Sequence, residues 1–209
     1  MVIEFTSNVV SPPVRLFMGV DKHENEHLIR WGWPEDVWFH VDKLSSAHVY
    51  MRLRPGETLD SVPAQVIEDC AQLVKANSIQ GNKMNDVDVV YTMWENLHKT
   101  GDMAVGQVGF KRQKEVRKVR VEKRLNETIN RLNRTRVDRE ADYRAEREER
   151  DRLEAEDKKA KLKLQKKAED EEAKRREEER ELRSYDRILT ADKMKSNKDG
   201  GGSDSDDFM

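Results

Sequence analysis

Residues 37–53 read VWFHVDKLSSAHVYMRL. Two runs with period-two alternation, Val37–Val41 and Ala47–Leu53, flank the polar loop DKLSS, which is the pattern of a β-hairpin with a five-residue connection. Symmetric pairing about Leu44 sets Trp38 opposite Tyr50 and His40 opposite His48. Strand geometry then places these four on one face and Phe39, Val41, Ala47, Val49 and Met51 on the other. The second set reads as a core face. The first, extended by Arg52 and Arg54, gathers aromatic, imidazole and guanidinium groups, a set able to stack bases and meet phosphates. The competing expectation is that helices cover this face and the histidines hydrogen-bond internally.

Outward from the hairpin, Val2–Phe5 and Val14–Val20 read as strands around the turn residues SPP. Asp21 suits the N-cap of a helix that runs through His27, Leu28 and Trp31 and stops at Gly32 and Pro34. Pro63 opens a second helix ending near Asn77. VDVVYT (87–92) is a further strand, and KEVRKVRV (114–121) alternates charge with Val as an edge strand would. GDMAVGQVGF (101–110) reads as a flexible crossover. The fold class expected for residues 1–121 is α+β: a globular head with a mostly antiparallel sheet and two to three helices.

The rest of the chain has another composition. Residues 122–183 hold 21 Lys+Arg, 20 Asp+Glu, no Gly, no Pro and one aromatic, so this segment cannot build a globular core. Acid-before-base pairs four apart, such as Glu154–Lys158, Asp157–Lys161 and Glu172–Arg176, each add a few tenths of a kcal/mol to a helix. Leu125, Ile129 and Leu132 can dock its first turns. Beyond Val137 no apolar heptad persists, so a long single helix over 122–185 is expected rather than a coiled coil, on the order of 90 Å if unbroken. Such an arm could serve a protein partner. Residues 186–209 end in an acidic Gly, Ser and Asp tail expected to be disordered, with Ser203 and Ser205 among its aspartates.

Net charge is −2, but it is unevenly spread. Residues 1–110 carry 9 Lys+Arg against 15 Asp+Glu, whereas 111–136 carry 11 against 3. Lys111, Arg112, Lys114, Arg117, Lys118, Arg120, Lys123 and Arg124 are opposed locally only by Glu115 and Glu122. Such density on an acidic head points to a polyanion, because every phosphate neutralised releases counterions. A charged edge strand guarding against aggregation is the plainer explanation.

Several chemistries find no support. The single Cys70 excludes an internal disulfide, suits a reducing, cytoplasmic compartment and reads as a packing residue. His40 and His48 lack further ligands at metal spacing. Ser45 and Ser46 beside His48 read as loop residues rather than nucleophiles, and no phosphate-binding glycine loop is present. No cofactor and no catalytic residue is expected. No window approaches the ~20 apolar residues of a membrane-spanning helix, and 106–122 carries six basic and two acidic groups.

The motifs PEDVWFHVDKLSSAHVYMRL, IEDCAQLVKANSIQGNKMNDVDVVYT and VGQVGF, in this order and spacing, resemble the NFACT-R domain family. The resemblance implies an RNA-binding module of the kind that accompanies ribosome-associated quality control. For vertebrate relatives it also implies a plasma-membrane sensor of extracellular DNA, with a DNA-contacting segment at Val20–Glu24, in which Lys22 is the firm positive charge, and a membrane span near 106–122. RNA against DNA, single strand against duplex, and the oligomeric state are left open by the residues.

Overall fold

The computed structural model describes residues 1–184. Seven strands form one antiparallel sheet: β1 (Val2–Ser7), β2 (Val14–Gly19), β3 (Asp36–Val41), β4 (Val49–Arg52), β5 (Val87–Met93), β8 (Arg117–Val121) and β9 (Val137–Arg139). Their order is β8-β5-β3-β4-β2-β1-β9. A small second ladder pairs β6 (Leu97–His98) with β7 (Gly109–Phe110). Helix α1 (Lys22–Trp31) follows β2, α2 (Ala64–Ala76) follows β4, and α3 (Asn126–Asn133) and α4 (Tyr143–Arg183) close the described chain.

The hairpin register is the one its alternation predicts: Trp38 pairs with Tyr50 and Phe39 with Val49. Phe39, Val41, Val49 and Met51 bury against Val66, Cys70, Leu73 and Val74 of α2 and Leu132 of α3. Full burial of such a side chain contributes about 1.5–3 kcal/mol, set against chain entropy of comparable total size. Asp21 caps α1 as expected, its Oδ1 accepting from the His23 and Glu24 amides at 2.8 Å. Cys70 is fully buried, which pushes its thiol pKa up and leaves it a packing residue.

The opposite face is also covered. Trp38, Tyr50, Phe17 and Val90 pack against Leu28 of α1, and Trp94 and Leu97, together with Val108 and Phe110 of the crossover, join them. The crossover therefore closes the second face rather than looping freely. The Trp94 indole donates to the Ile29 carbonyl at 2.9 Å and lies so close over Gly32 that a Cβ there would sit 2.2 Å from Nε1. Only glycine fits beneath that ring.

Two boundaries differ from expectation. Residues 114–121 are not all strand: Gln113–Glu115 form a 3-10 turn, and β8 starts at Arg117 at the sheet edge. The helix expected to run unbroken from residue 122 is three elements. Ile129 and Leu132 bury α3 in the head, and Thr135 then stops it: its Oγ1 donates to Leu132 O at 2.7 Å and accepts from the Thr6 amide at 2.9 Å. The chain next adds β9 beside β1 before α4 begins. Tertiary contact has overridden a strong local helix propensity. The 41 residues of α4 give about 60 Å of helix, with no buried residue. Glu154–Lys158 and Glu172–Arg176 pair as expected. Arg147 and Arg150, both paired with Asp151, also reach the Gly32 carbonyl and Glu35. The head comprises Met1–Asp151. The expectations for the tail and its serines fall outside the described residues.

Candidate nucleic-acid interface

The hairpin face, expected either as a stacking platform or as a covered face with internally bonded histidines, is largely interior. Tyr50 is fully buried, stacked on Phe17 with centroids 5.3 Å apart. His48 is buried, and its Nδ1 accepts from Trp38 Nε1 at 2.9 Å, which places the ring proton on Nε2. Burial, then the neighbouring His40, pushes the His48 pKa down to about 3. Arg52 lies opposite Asp36 in the ladder and holds it through Nε and Nη2 at 2.7 and 3.0 Å. Its guanidinium also lies 3.7 Å from the Trp33 ring centroid, so it is committed to the fold. Tyr50 and His48 are thus interior rather than a contact surface, and Arg52 is held against Asp36 and Trp33. His40 is half-buried, stacked on Trp38 at 5.5 Å, and reaches a cleft beside α1. Lys22, the first residue of α1, is exposed at the same cleft and makes no ion pair among the described residues.

The basic segment lines the exposed edge of the sheet. β8 turns Lys118 and Arg120 outward and Arg117 and Val119 partly inward. Four cations are matched by carboxylates: Arg112 by Glu115, Arg117 by Asp60, Lys118 by Asp42 at 2.7 Å and Arg120 by Asp88 at 3.0 Å. These bonds raise the pKa of Arg117, Lys118 and Arg120 and lower that of Asp88. Four others have no carboxylate. Lys111 donates to the Glu95 carbonyl at 2.7 Å and Arg124 to Asn82 Oδ1 at 2.8 Å. Lys114 and Lys123 are exposed and unpaired among the described residues. Gln72 of α2 fixes this turn of chain, donating to the Lys123 carbonyl and accepting from the Leu125 amide, both at 2.9 Å. Lys114 stands in the 3-10 turn, apart from the row formed by Lys118 and Arg120.

The segment 106–122 is thereby accounted for as β7, the 3-10 turn and the edge strand. No helix among the described residues is long and apolar enough to cross a membrane. The carboxylates opposite β8 had no signal in the sequence, since Asp42, Asp60 and Asp88 lie far from it along the chain.

An antiparallel α+β head with a cationic sheet edge and a long charged helix defines the class of molecule. Residues 1–112 match the family model for the NFACT protein RNA binding domain, and the chain belongs to that family. Over its whole length it is similar to coiled-coil domain-containing protein 25 of Danio rerio, 60% identical over 209 residues and covering all of both chains. Coiled-coil domain-containing protein 25 of Bos taurus is 56% identical over 210 residues, again covering all of both. Among solved structures, the C-terminal part of the fibronectin/fibrinogen-binding protein of Streptococcus suis shares the fold, with a TM-score of 0.51 and 18% identity. That match covers 64% of this chain and 49% of the other.

Proposed function

We propose that this chain is a non-enzymatic RNA-binding adaptor. Lys111, Lys114, Lys123 and Arg124 meet the phosphate backbone along the sheet edge. Arg112, Arg117, Lys118 and Arg120 join them by exchanging exposed carboxylate partners for phosphate. Surface pairs of this kind contribute about 0–1 kcal/mol, so the exchange is cheap. The observation that carries the reading is the set of four exposed cations without carboxylates that flank edge strand β8, two before it and two after it. Membership of a family described as RNA binding supports it. Association with ribosomes or tRNA belongs to the same reading, with α4 as a spacer or a docking arm for a protein partner.

The test is binding of the whole chain to labelled tRNA, single-stranded RNA and duplex DNA over about 50–200 mM salt. The expected result is preference for RNA and a steep fall of affinity with salt, each contacted phosphate adding about 0.7–0.9 to the log–log slope. Absence of binding at the low-salt end would overturn the reading. Preference for duplex DNA would replace RNA as the ligand.

A further inference from the structure

Much of α4 is laced by ion pairs along its own surface: Arg144–Glu148, Arg147–Asp151, Glu172–Arg176 and Glu179–Arg183 each join residues four apart. Residues 158–168, KKAKLKLQKKA, hold six lysines and no acid. Only the outermost two reach carboxylates, Lys158 to Glu154 at 2.5 Å and Lys167 to Glu171 at 3.7 Å. Lys159, Lys161, Lys163 and Lys166 are exposed and make no ion pair among the described residues. Lys159, Lys163, Lys166 and Lys167 recur at i, i+4, i+7 and i+8, the spacing of one helix face. Like charges four apart, as in Lys159–Lys163 and Lys163–Lys167, oppose the helix that carries them. Such uncompensated repulsion has no use in a helix that serves only as a spacer, and a departure from local consistency of this kind marks function.

The residue types select the ligand. A lipid surface would need an apolar helix face to insert, whereas Leu162 and Leu164, two residues apart, point different ways. A partner helix would need a sustained apolar seam, and α4 has none. What remains is a hydrated polyanion met by point charges. Lysine ammonium groups suit it, because they bind phosphate without the fixed fork that arginine imposes. Beyond Tyr143 the helix has no aromatic side chain, so it offers nothing on which bases could stack. From Lys159 to Lys167 the face runs about 12 Å, the length of roughly three to four phosphates along one duplex strand.

We infer that the Lys159–Lys167 face of α4 is a second nucleic-acid contact, additional to the sheet edge, which grips the phosphodiester backbone without regard to base sequence. This deepens the RNA-binding reading and rests on it. It also gives α4 a binding role of its own.

The test uses the whole chain carrying Lys159→Gln, Lys163→Gln and Lys166→Gln together, measured against poly(U), poly(A) and duplex DNA over a salt series. Glutamine keeps the helix propensity and removes the repulsion, so helix content by circular dichroism does not fall. The variant loses about 2 to 3 from the magnitude of the log–log slope, at about 0.7–0.9 per phosphate contact, and binds roughly tenfold or more weakly. Poly(U) and poly(A) are affected alike, and Lys→Arg at the same three positions restores both. Unchanged affinity and slope in the glutamine variant overturn the inference, as does a loss that arginine does not restore or that touches one homopolymer alone. Vesicles of phosphatidylserine with phosphatidylcholine, and polyglutamate, are run in parallel. Lysine-dependent binding to either of these, without lysine-dependent binding to nucleic acid, overturns it in favour of a lipid surface or an acidic protein. Reversing Lys114, Lys123 and Arg124 to Glu leaves the α4 lysines intact, so failure of the sheet-edge reading shows in that variant alone.

Discussion

Tyr50 shows what alternation conveys and what it omits. Its position opposite Trp38 was legible, because the side-chain period of a strand is two. Its burial was not, because alternation assigns a face without saying what covers it. Here α1 and the crossover do, and the Tyr50 hydroxyl is buried with no hydrogen-bond partner. Tyr50→Phe is therefore expected to stabilise the protein by about 1 kcal/mol and to leave RNA binding unchanged. Denaturant unfolding and a binding isotherm check this; lost affinity would return Tyr50 to the contact surface. His48 makes a second prediction. Its folded pKa of about 3 lies below the ordinary 6.5, so between these values the unfolded chain binds the extra proton and stability falls as pH falls. The slope reaches at most about 1.4 kcal/mol per pH unit. Imidazole NMR at pH 5 is expected to show His48 neutral, with its proton on Nε2.

Among the elements, β1 to β5, α1 and α2 were legible because each combines a clear period with a cap or breaker. The stretch 122–142 was not. It contains no Gly or Pro, and Leu125, Ile129 and Leu132 continue a helical period without interruption. The break after α3 comes from Thr135 bonding to β1, a contact 129 residues away in sequence. Arg131 adds a pair with buried Asp69 at 2.6 Å, which also accepts from Ser7 Oγ. Ending the chain at Val121 removes these contacts, uncovers the α2 face that Leu132 seals and strips β1 of its edge partner. Residues 1–121 are thus expected to lack a cooperative thermal transition, whereas 1–151 retains one. Equal transitions for the two would show that α3 and β9 are dispensable.

Over the whole molecule, charge is sorted by place. Residues 1–110 are acidic, the edge of the sheet is basic, and α4 mixes both signs along a helix with no buried residue. The basic density of 111–124 was plain in the sequence; that half of it is matched by aspartates and a glutamate from elsewhere or nearby was visible only once the strands were paired. The unmatched cations are the central claim, and reversing Lys114, Lys123 and Arg124 to Glu together tests it most directly. None of the three is buried, so the fold is expected to stand. Measured against single-stranded RNA over a salt series, the variant should bind more weakly and lose about 2 from the magnitude of the log–log slope, at about 0.7 per phosphate contact. A slope and affinity equal to those of the unaltered chain would contradict the assignment of the sheet edge as the phosphate-binding surface.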